Sequence, residues 1–415
     1  FKNMENSFLK EFINREYYNQ CTKYSDLEKR LNDGKARAYI GFDCTAQSLH
    51  VGSLLQIMCL RLLQKHGHQP IVLLGGGTTR IGDPSGKEET RKILSEKEIE
   101  KNIKNIKNVF NIFLNTKNSK TKPIFVNNYK WLSKLNYIKF LRDIGKHFTI
   151  NKMLSFDSVK LRLDREQSLS YMEFNYMILQ AYDFLELRKS KHCELQIGGS
   201  DQWGNIVNGV DLIKRYLGKT VYGLTTPLIT LASGTKMGKT EKGAVWLDKK
   251  LLSPFDYWQF WRNTDDRDVI KFLKMFTDLE IKKIAEVSDD DINSLKILLA
   301  NEATKMLHGK AAAEKAEETA KNIFEKGTIG DDLKTIKIHK KDLENGIGII
   351  DLVITTDLFK SKSEIRRAIK NKGIKINNAF VEDEKLIVSI GQFESKGYLK
   401  LSHGKKKHTI VKIIH

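Results

Sequence analysis

The stretch that decides the fold is residues 36–63, ARAYIGFDCTAQSLHVGSLLQIMCLRLL. Its first five residues are apolar enough to form a buried strand, and a polar loop follows them. A helix is expected next, and then a second apolar strand at residues 70–74. Strand, helix and strand over roughly 40 residues predict a βαβ unit with a right-handed crossover. Four-residue spacing marks the buried face of the helix, which consists of Leu54, Met58 and Leu62, and of Leu55, Cys59 and Leu63.

The junction between this strand and this helix carries His50, Gly52 and Ser53. Free backbone N–H groups and the helix dipole favour an anion at a helix N-terminus. Gly52 lacks a side chain where a phosphate or a base has to approach the backbone. An ordinary polar cap with a packing glycine is the commoner situation, so these three residues alone do not establish a site.

The composition is that of a globular protein of two or three domains. The chain has 415 residues, of which 40% are hydrophobic and 29% are charged, as expected for a protein with sizeable cores. No apolar run approaches the roughly 18–20 residues that cross a bilayer. The N-terminal region lacks a signal-peptide pattern, and Glu5, Glu11 and Glu16 argue against an acid-poor transit peptide. We therefore expect a cytoplasmic protein that does not enter a membrane.

Cysteine usage and net charge both bear on what the protein binds. The four cysteines form neither a CxxC pair nor a metal-ligand spacing, so we expect reduced thiols and no zinc. The net charge is +20, from 71 Lys and Arg against 51 Asp and Glu. Of this excess, +9 lies in residues 334–415. Such an excess suits a polyanionic partner, although a generally basic proteome also produces it.

Two glycine-rich segments follow predicted strands and are candidates for ligand-binding loops. Residues 75–86 come directly after the second apolar strand, and residues 196–205 begin with a short strand of their own. Ligands of open α/β proteins bind at the carboxyl ends of such strands. Neither segment matches the dinucleotide-binding or P-loop pattern, so those two kinds of site are not supported. A flexible surface turn is the alternative for each segment.

Two further segments place polar groups where a ligand could contact them. Tyr176, Gln180 and Asp183 fall on one face of an otherwise apolar helix, where they either satisfy one another or line a pocket. The pocket is favoured because Asp183 has no basic partner nearby in the sequence. Residues 233–240, SGTKMGKT, predict a positive hairpin loop suited to phosphates, with a solvated hairpin tip as the commoner alternative.

The fold class predicted from these segments is α/β. A Rossmann-like domain with a parallel sheet, residues 1–225, precedes the positive loop and an α-helical domain, residues 226–326. Residues 327–341 mix Gly, Asp and Lys and are expected to be a linker. Residues 342–415 combine short strands with a basic helix, and such an α+β module is a reasonable RNA binder. The helix residues expected to contact RNA are Arg366, Arg367 and Lys370.

The segments His50-Val-Gly-Ser53 and Lys236-Met-Gly-Lys-Thr240 together resemble the two signatures of class I aminoacyl-tRNA synthetases. Other segments narrow the resemblance to bacterial-type tyrosyl-tRNA synthetases, in the same order over nearly the whole chain, and the C-terminal module resembles their S4-like domain. Each motif is weak alone, whereas five in this order are highly specific. The narrowing segments are residues 39–50, the loop Gly82-Asp-Pro-Ser-Gly86, Tyr176 with Gln180 and Asp183, and residues 198–205.

This resemblance implies a tyrosine–tRNA ligase that uses ATP, L-tyrosine and tRNA(Tyr), with Mg²⁺ accompanying the ATP. It also implies a homodimer whose subunit contact lies near residues 131–163, and a role for each matching residue. The residues implied to act on the phosphates in catalysis are Thr45, His50, Lys236, Lys239 and Thr240. The residues implied to bind tyrosine are Tyr39, Asp83, Tyr176, Gln180, Asp183 and Gln202. The residues implied to bind ATP are Gly41, Asp43, His50, Gly52, Ser53, Gly199, Asp201, Lys236, Met237 and Lys239.

Two positions depart from the usual signatures, and two alternatives stay open. Ser53 stands where a second histidine is frequent, although its hydroxyl can still donate a hydrogen bond, and Gly238 stands where a serine is usual. A tryptophanyl-tRNA synthetase shares the fold, but Tyr39 and Asp183 suit a phenol better than an indole. A non-catalytic splicing or regulatory RNA-binding protein on the same scaffold is disfavoured by the intact phosphate and tyrosine residues.

Overall fold

The computed structural model describes residues 5–83, 94–240, 243–324, 335–356, 358–377, 379–393, 397–404 and 407–414, and gives only the backbone of residues 239, 240, 323 and 324. The strands are β1 (Gln20–Cys21), β2 (Arg37–Phe42), β3 (Gln69–Leu74), β4 (Ile124–Asn127), β5 (Leu195–Gly199), β6 (Tyr222–Thr226), β7 (Lys239–Thr240), β8 (Gly243–Ala244), β9 (Thr335–His339), β10 (Ile347–Gly348), β11 (Ile374–Ile376), β12 (Ala379–Phe380), β13 (Ile387–Val388), β14 (Tyr398–His403) and β15 (Lys407–Ile414).

The α-helices of the described residues range from 4 to 18 residues in length. They are α1 (Ser7–Asn14), α2 (Tyr24–Asn32), α3 (Leu54–Lys65), α4 (Glu96–Phe113), α5 (Tyr129–Leu132), α6 (Tyr137–Asp143), α7 (Ile150–Leu154), α8 (Asp157–Asp164), α9 (Tyr171–Phe174), α10 (Tyr176–Lys191), α11 (Trp203–Leu217), α12 (Pro254–Arg262), α13 (Val269–Phe276), α14 (Ile281–Val287), α15 (Ile292–His308), α16 (Lys310–Phe324), α17 (Lys340–Leu343), α18 (Ile349–Ile354) and α19 (Lys362–Lys370). Single turns of 3-10 helix lie at Val51–Ser53, Thr78–Arg80, Gly145–His147, Ser200–Gln202, Asp266–Asp268 and Ile390–Gln392.

The chain divides into two compact units. The first comprises Phe1–Leu252 and Thr264–Leu307, and the second comprises Ser253–Asn263 and His308–His415. The first unit contains a six-stranded sheet in the order β1–β6–β5–β2–β3–β4, in which β1 runs antiparallel to β6 and the other pairs are parallel. This sheet confirms the α/β class and the Rossmann-like parallel arrangement predicted from the sequence.

The predicted βαβ unit is confirmed as β2, α3 and β3. Strand β2 pairs with β3 on one side and with β5 on the other, so Tyr39 lies opposite both Ile71 and Gln196. The chain order therefore reverses between β2 and β5, and in open parallel sheets a ligand crevice forms at the carboxyl ends of strands at such a reversal. Helix α3 buries the predicted apolar residues against this sheet, since Leu54, Leu55, Met58, Cys59, Leu62 and Leu63 are all buried.

Helix α10 fixes one wall of this crevice. Its apolar side packs into a core with the sheet and α11, and that core includes Tyr39, Met177, Phe184 and Leu212. The remaining face of α10 carries the polar residues that the sequence placed together. Packing of one face thus orients the other, because residues on opposite sides of a helix are fixed relative to each other.

The second unit contains a five-stranded sheet in the order β12–β11–β14–β15–β9. Helices α18 and α19 contribute Leu352, Val353, Ile365 and Ile369 to the core of this sheet. Helix α19 begins at Ser361, whose side chain accepts a hydrogen bond from the Glu364 N–H at 3.2 Å. The basic helix predicted within residues 342–415 is therefore confirmed.

The predicted linker, residues 327–341, is wrong in its last part. Residues 335–339 form β9, which pairs in parallel with β15 from Thr335 opposite Ile410 to His339 opposite Ile414. The sheet satisfies the backbone hydrogen-bonding groups of this lysine-rich segment, which favours strand over open chain. Residues 327–334 lie outside the described residues, and the other predicted domain boundaries stay predictions.

Residues 131–163 are broken into short helices. Asn136 caps α6, where its side chain accepts a hydrogen bond from the Lys139 N–H, and a 3-10 turn at Gly145–His147 ends that segment. Extended residues at Thr149 and Phe156 then begin new helices. Among the helices that the structure describes, none is long and apolar enough to cross a membrane.

Candidate active site

A cavity of about 390 Å³ opens at the carboxyl ends of β2 and β5 in the first unit. Its position coincides with the reversal in strand order, where ligands bind in this class of sheet. Most of the predicted site residues line it together, although they come from segments far apart in the chain. These residues are Tyr39, Gly41, Asp43, Gly52, Asp83, Tyr176, Gln180, Asp183, Gly199, Asp201, Gln202, Lys236 and Met237.

The carboxylate of Asp183 occupies the buried end of this cavity. It is 2% exposed, and it accepts hydrogen bonds from the Asn128 side-chain N–H at 2.9 Å and from the Trp131 indole N–H at 2.7 Å. Asn128 is itself fixed, since its side-chain oxygen accepts from the Gly77 N–H at 2.7 Å. Burial raises the pKa of Asp183 to about 7, against the opposing effect of the two hydrogen bonds. Asp183 is thus held rigidly by neutral donors.

The phenol of Tyr39 lines the same end of the cavity. Its ring lies against Phe184 with the centroids 5.3 Å apart, and the residue is 1% exposed. The Tyr39 hydroxyl is buried and has no hydrogen-bond partner among the described residues. Burial, followed by the negative charge of Asp183, raises the pKa of Tyr39 well above its usual value. A buried hydroxyl without a partner costs free energy unless a ligand or water supplies one.

A second polar group of the cavity centres on Asp83. Its carboxylate accepts a hydrogen bond from the Gln202 side-chain N–H at 2.9 Å, and Gln202 accepts one from Asn205 at 3.1 Å. Tyr176 and Gln180 line the same cavity from α10, and the side-chain oxygen of Gln180 is buried without a partner among the described residues. A carboxylate, a phenol and an amide oxygen together suit a ligand that donates hydrogen bonds and carries positive charge.

The helix N-terminus lies against the positive hairpin. The Gly52 N–H donates a hydrogen bond to Nδ1 of His50 at 3.0 Å, and a Cβ at Gly52 would lie 3.0 Å from the Met237 carbonyl oxygen. Gly238, at φ +121°, would place a Cβ 3.2 Å from the Cα of Gly52. Only glycines allow the two backbones to approach this closely. The two signature segments are distant in sequence and are in direct contact in the fold.

The hairpin places Lys236 and Met237 on the cavity, opposite the α10 wall. Lys236 is exposed and Met237 is 8% exposed. Beyond them, Lys239 and Thr240 form β7, which pairs with β8, and their side chains lie outside the described part of the structure. Pro84, Ser85 and Gly86 of the predicted loop at 82–86 also lie outside the described residues.

Three predicted residues, Thr45, His50 and Ser53, do not line the cavity itself. Thr45 is exposed, and His50 and Ser53 are half-buried. His50 instead contacts Gly52, pairs with Trp246 in a short β-bridge and stacks edge-on against its ring. Their predicted contacts with phosphates stay predictions.

Three residues that line the cavity or hold Asp183 were not predicted from the sequence, and all three lie on or just after a parallel strand. Asn128 and Trp131 follow β4 directly, at the same carboxyl edge of the sheet that the analysis used for other segments. Gln196, on β5, lines the cavity with a buried side-chain oxygen that lacks a partner among the described residues. Polar residues at or just after predicted parallel strands would have identified all three.

The predicted RNA-contact residues lie in the second unit. Arg366, Arg367 and Lys370 are all exposed on α19, while Ile365 and Ile369 of the same helix are buried. A helix with this division presents positive charge to solvent and suits a phosphate backbone.

Comparison with known proteins defines the class. A family model described as tRNA synthetases class I (W and Y) matches residues 31–325, and a second, the tyrosine–tRNA ligase SYY-like C-terminal domain, matches residues 324–411. The chain belongs to the class I tRNA synthetases, and within them to the family of the tyrosine–tRNA ligases.

The relatives support this assignment along the whole chain. The tyrosine–tRNA ligase of Pelagibacter ubique is 69% identical over 409 residues, covering 99% of this chain and 100% of that protein. The tyrosine–tRNA ligase of Rickettsia felis is 51% identical, covering 98% of this chain and 100% of that protein. A C-terminally truncated mitochondrial tyrosyl-tRNA synthetase of Aspergillus nidulans has a crystal structure with a TM-score of 0.69 and 30% identity, covering 77% of this chain and 94% of that one.

Proposed function

We propose that the chain is a tyrosine–tRNA ligase, which activates L-tyrosine with ATP and transfers the tyrosyl group to tRNA(Tyr). The similarity to curated ligases over the full chain supports this activity and does not favour the non-catalytic alternative. The structural observation that carries the proposal is the buried end of the cavity, where Tyr39 and Asp183 lie together. This pair has the chemistry of a site for a phenol.

A tyrosine side chain would satisfy both groups. Its hydroxyl can donate to the carboxylate of Asp183 and accept from the hydroxyl of Tyr39, which lacks a partner among the described residues. Phenylalanine would leave these buried groups unpaired, and tyrosyl-tRNA synthetases are themselves the standard illustration of that kind of rejection. An indole is wider and donates from a different position, so the same pair disfavours tryptophan.

The ammonium group of the substrate is assigned to the second polar group. Asp83, Tyr176 and Gln180 offer a carboxylate and oxygen acceptors on the same cavity, and Gln202 orients Asp83 through their 2.9 Å hydrogen bond. With both ends fixed, the substrate carboxylate points out of the buried end. Such fixation converts the first step into a reaction between groups already in place.

ATP is assigned to the part of the cavity that the carboxyl ends of β2 and β5 line together with the helix N-terminus and the hairpin. Gly41, Gly52 and Gly199 leave room beside the backbone, and Asp43 and Asp201 offer acceptors for ribose hydroxyls. Lys236 supplies positive charge from the hairpin, and we assign Lys239, Thr240, Thr45 and His50 to the phosphates by their match to the family signatures. Ser53 and Met237 complete the proposed nucleotide contacts.

The reaction requires no nucleophile from the protein. An oxygen of the tyrosine carboxylate attacks the α-phosphorus of ATP, the bond to the β-phosphate oxygen breaks, and pyrophosphate leaves with the electron pair. A hydroxyl of the terminal tRNA ribose then attacks the tyrosyl carbonyl, and AMP leaves. The protein contributes orientation and stabilisation of the negative charge on the phosphates, and Lys236 is the described residue placed for the latter.

Mg²⁺ in this proposal accompanies the nucleotide and neutralises phosphate charge, bound mainly by phosphate oxygens and water. Within the residues that the structure describes, no cluster of three or more His, Cys, Asp or Glu side chains is arranged to hold a metal ion.

We assign tRNA backbone contacts to Arg366, Arg367 and Lys370 on α19. Their common exposure on one basic helix supports this, as does the match of residues 324–411 to the C-terminal domain of tyrosine–tRNA ligases. Each phosphate contact should contribute to affinity and to its salt dependence without reading base sequence. Cytoplasmic localisation stays the prediction of the sequence analysis.

A homodimer is the assembly that we propose. Residues 137–171 expose large apolar side chains, among them Tyr137, Ile138 and Ile150, of which Ile138 is 70% exposed. Several large exposed apolar side chains within one stretch of chain favour an interaction surface there, and the stretch overlaps the region that the sequence analysis placed near the subunit contact. Sedimentation velocity on wild type and Ile138→Glu should give a dimer and a monomer respectively, and a monomeric wild type would contradict the proposal.

Exchange of labelled pyrophosphate into ATP tests the proposed activity, with tyrosine, tryptophan and phenylalanine measured in parallel. Exchange with tyrosine alone, followed by charging of tRNA(Tyr), is the expected result. Absence of exchange with all three amino acids, from folded protein that still binds tRNA, would overturn the proposal in favour of a non-catalytic RNA-binding protein.

A further inference from the structure

The hairpin that carries Lys236 is short and tightly closed. Thr230 and Lys236 form an antiparallel bridge, the Leu231 N–H donates to the Thr235 carbonyl at 2.8 Å, and the Gly234 N–H donates to the Leu231 carbonyl at 2.8 Å. The base is fixed separately, because the Met237 N–H donates to the Ile229 carbonyl at 3.1 Å. The hairpin is thus closed on itself and Lys236 is part of its bridge, so the position of Lys236 depends on what ties the hairpin as a whole to the rest of the fold.

The tip is held by Asp268. The carboxylate of Asp268 accepts a hydrogen bond from the Ala232 N–H at 2.7 Å, across 36 residues of sequence. Asp268 is 7% exposed, so water competes poorly for this bond. The neighbouring Arg267 donates to the Ala232 carbonyl at a longer distance, 3.4 Å, in an exposed position.

The anchor on the other side of this bond is rigid. Asp268 immediately precedes α13, whose Val269, Phe272, Leu273 and Phe276 are buried. The turn before it is fixed as well, since the Asp268 N–H donates to the Asp265 carbonyl at 2.9 Å. A hydrogen bond between an ionised carboxylate and a backbone N–H is also stronger than one between neutral groups. The hairpin tip is thus tied to a packed helix.

We propose that Asp268 is a positioning residue for the activation step, which holds the hairpin through Ala232 so that Lys236 lies on the cavity. This inference rests on the proposed function, in which Lys236 acts on the phosphates of ATP. Asp268 contacts neither substrate in this account. Loss of the bond should therefore slow adenylate formation and leave tyrosine affinity unchanged, because the tyrosine end is built from other segments.

The first test compares Asp268→Ala with Asp268→Asn in the full-length protein. Single-turnover formation of tyrosyl-adenylate should be about tenfold slower in Asp268→Ala. Asp268→Asn keeps an oxygen that accepts from Ala232, so its rate should stay within about threefold of wild type. The dissociation constant for tyrosine, measured by equilibrium dialysis, should be that of wild type in both.

A second variant removes the donor instead of the acceptor. Ala232 is the second residue of the turn closed by Leu231 and Gly234, a position at which proline is favoured. Ala232→Pro therefore deletes the N–H group without opposing the turn. It should reproduce the rate of Asp268→Ala, and the double variant should be no slower than either single variant, as expected for two partners of one bond.

The matched control is Asp266→Ala. Asp266 belongs to the same 3-10 turn but its side chain is 67% exposed and pairs with Lys296, and an exposed carboxylate in such a pair contributes little. Its activation rate should equal that of wild type. Circular dichroism and thermal unfolding identify any variant that does not fold. If either Asp268→Ala or Ala232→Pro fails to fold, the other variant provides the test.

Three outcomes would overturn the inference. They are a wild-type rate in folded Asp268→Ala, equal losses in Asp268→Ala and Asp268→Asn, and a loss of tyrosine affinity that accompanies the loss of rate. Failure of the proposed function is separate from all three, because the wild-type protein itself would then show no exchange with tyrosine.

Discussion

The two ends of the active-site cavity are built differently. At the tyrosine end, Asp183 is buried and fixed by Asn128 and Trp131, so that each polar group has a set position. At the nucleotide end, Lys236 is exposed on a hairpin whose tip is tied to α13 through Ala232. Selection between similar amino acids requires a rigid set of buried partners, whereas stabilisation of charge on a reacting phosphate requires positive charge held near the phosphate oxygens. The tyrosine end therefore determines which amino acid is bound, and the nucleotide end determines how fast the bound amino acid is activated.

Breaking the rigid end should have the largest effect. Asp183→Ala removes the acceptor for the tyrosine hydroxyl and also the buried carboxylate to which Asn128 and Trp131 donate. We expect kcat/KM for tyrosine in pyrophosphate exchange to fall about 1000-fold. Binding of tRNA by the C-terminal unit should be unchanged, as measured by filter binding. An unaltered exchange rate would contradict the assignment of Asp183.

Breaking the hairpin end should have a smaller effect of a different kind. Lys236→Ala removes positive charge where pyrophosphate is released, and we expect adenylate formation to slow by about 100-fold. Single-turnover kinetics at saturating tyrosine measure this rate. Lys236→Arg, which retains the charge, should recover part of it. Recovery to the same extent in a variant without charge, such as Lys236→Met, would argue against an electrostatic role.

The pH dependence of tyrosine binding should sharpen the comparison. Burial raises the pKa of Asp183 to about 7, and the ionised carboxylate is the better acceptor for a phenol. Tyrosine affinity should therefore increase up to about tenfold between roughly pH 6 and 8 and level off above that range. Calorimetry in buffers of different ionisation enthalpy should detect proton release on binding near pH 6. In Asp183→Asn this dependence should disappear, and its persistence there would assign the titration to another group.

The same raised pKa has a consequence for stability, with a defined sign. Between the unfolded value near 3.8 and the folded value of about 7, the native protein binds more protons than the unfolded chain. The contribution of Asp183 to the free energy of unfolding should therefore decrease as the pH rises through this window. Urea unfolding of wild type and Asp183→Asn across the window isolates this contribution, which should be absent from the variant.

The smallest effect is expected away from the cavity. Arg366→Ala on α19 should weaken tRNA binding a few-fold and reduce the salt dependence of binding by about one ion. Activation of tyrosine without tRNA should be unchanged. Exposed Glu364 on the same helix, changed to Gln, provides a control of similar position, and it should leave the salt dependence close to that of wild type.

The sequence predicted those parts of the site that depend on local periodicity. The four-residue spacing in residues 54–63 identified α3, and the spacing of Tyr176, Gln180 and Asp183 identified the face of α10 that lines the cavity. Both patterns follow from one face of a helix being buried, which local sequence records directly. The family signatures added that residues near the helix N-terminus and residues of the hairpin act on the same phosphates.

What the sequence analysis missed depends on contacts between distant segments. Asn128 and Trp131 reach Asp183 across 55 and 52 residues of chain, and Asp268 reaches Ala232 across 36. Position just after a strand marks Asn128 and Trp131 as candidates for the site, but no local pattern specifies which distant side chain each residue contacts. Strand β9 was missed for another reason. Its residues Ile336 and Ile338 alternate with polar ones, which is the pattern of a half-buried strand, but the segment was assigned to the linker on its content of Gly, Asp and Lys.

Equilibrium binding of labelled tyrosine, in the absence of ATP, tests most directly whether the two ends act separately. Wild type, Asp183→Ala and Lys236→Ala are compared in one dialysis series. The predicted result is a wild-type dissociation constant for Lys236→Ala and a loss of binding for Asp183→Ala. A parallel loss of tyrosine affinity in both folded variants would contradict the separation of a rigid selective end from a hairpin that controls the rate.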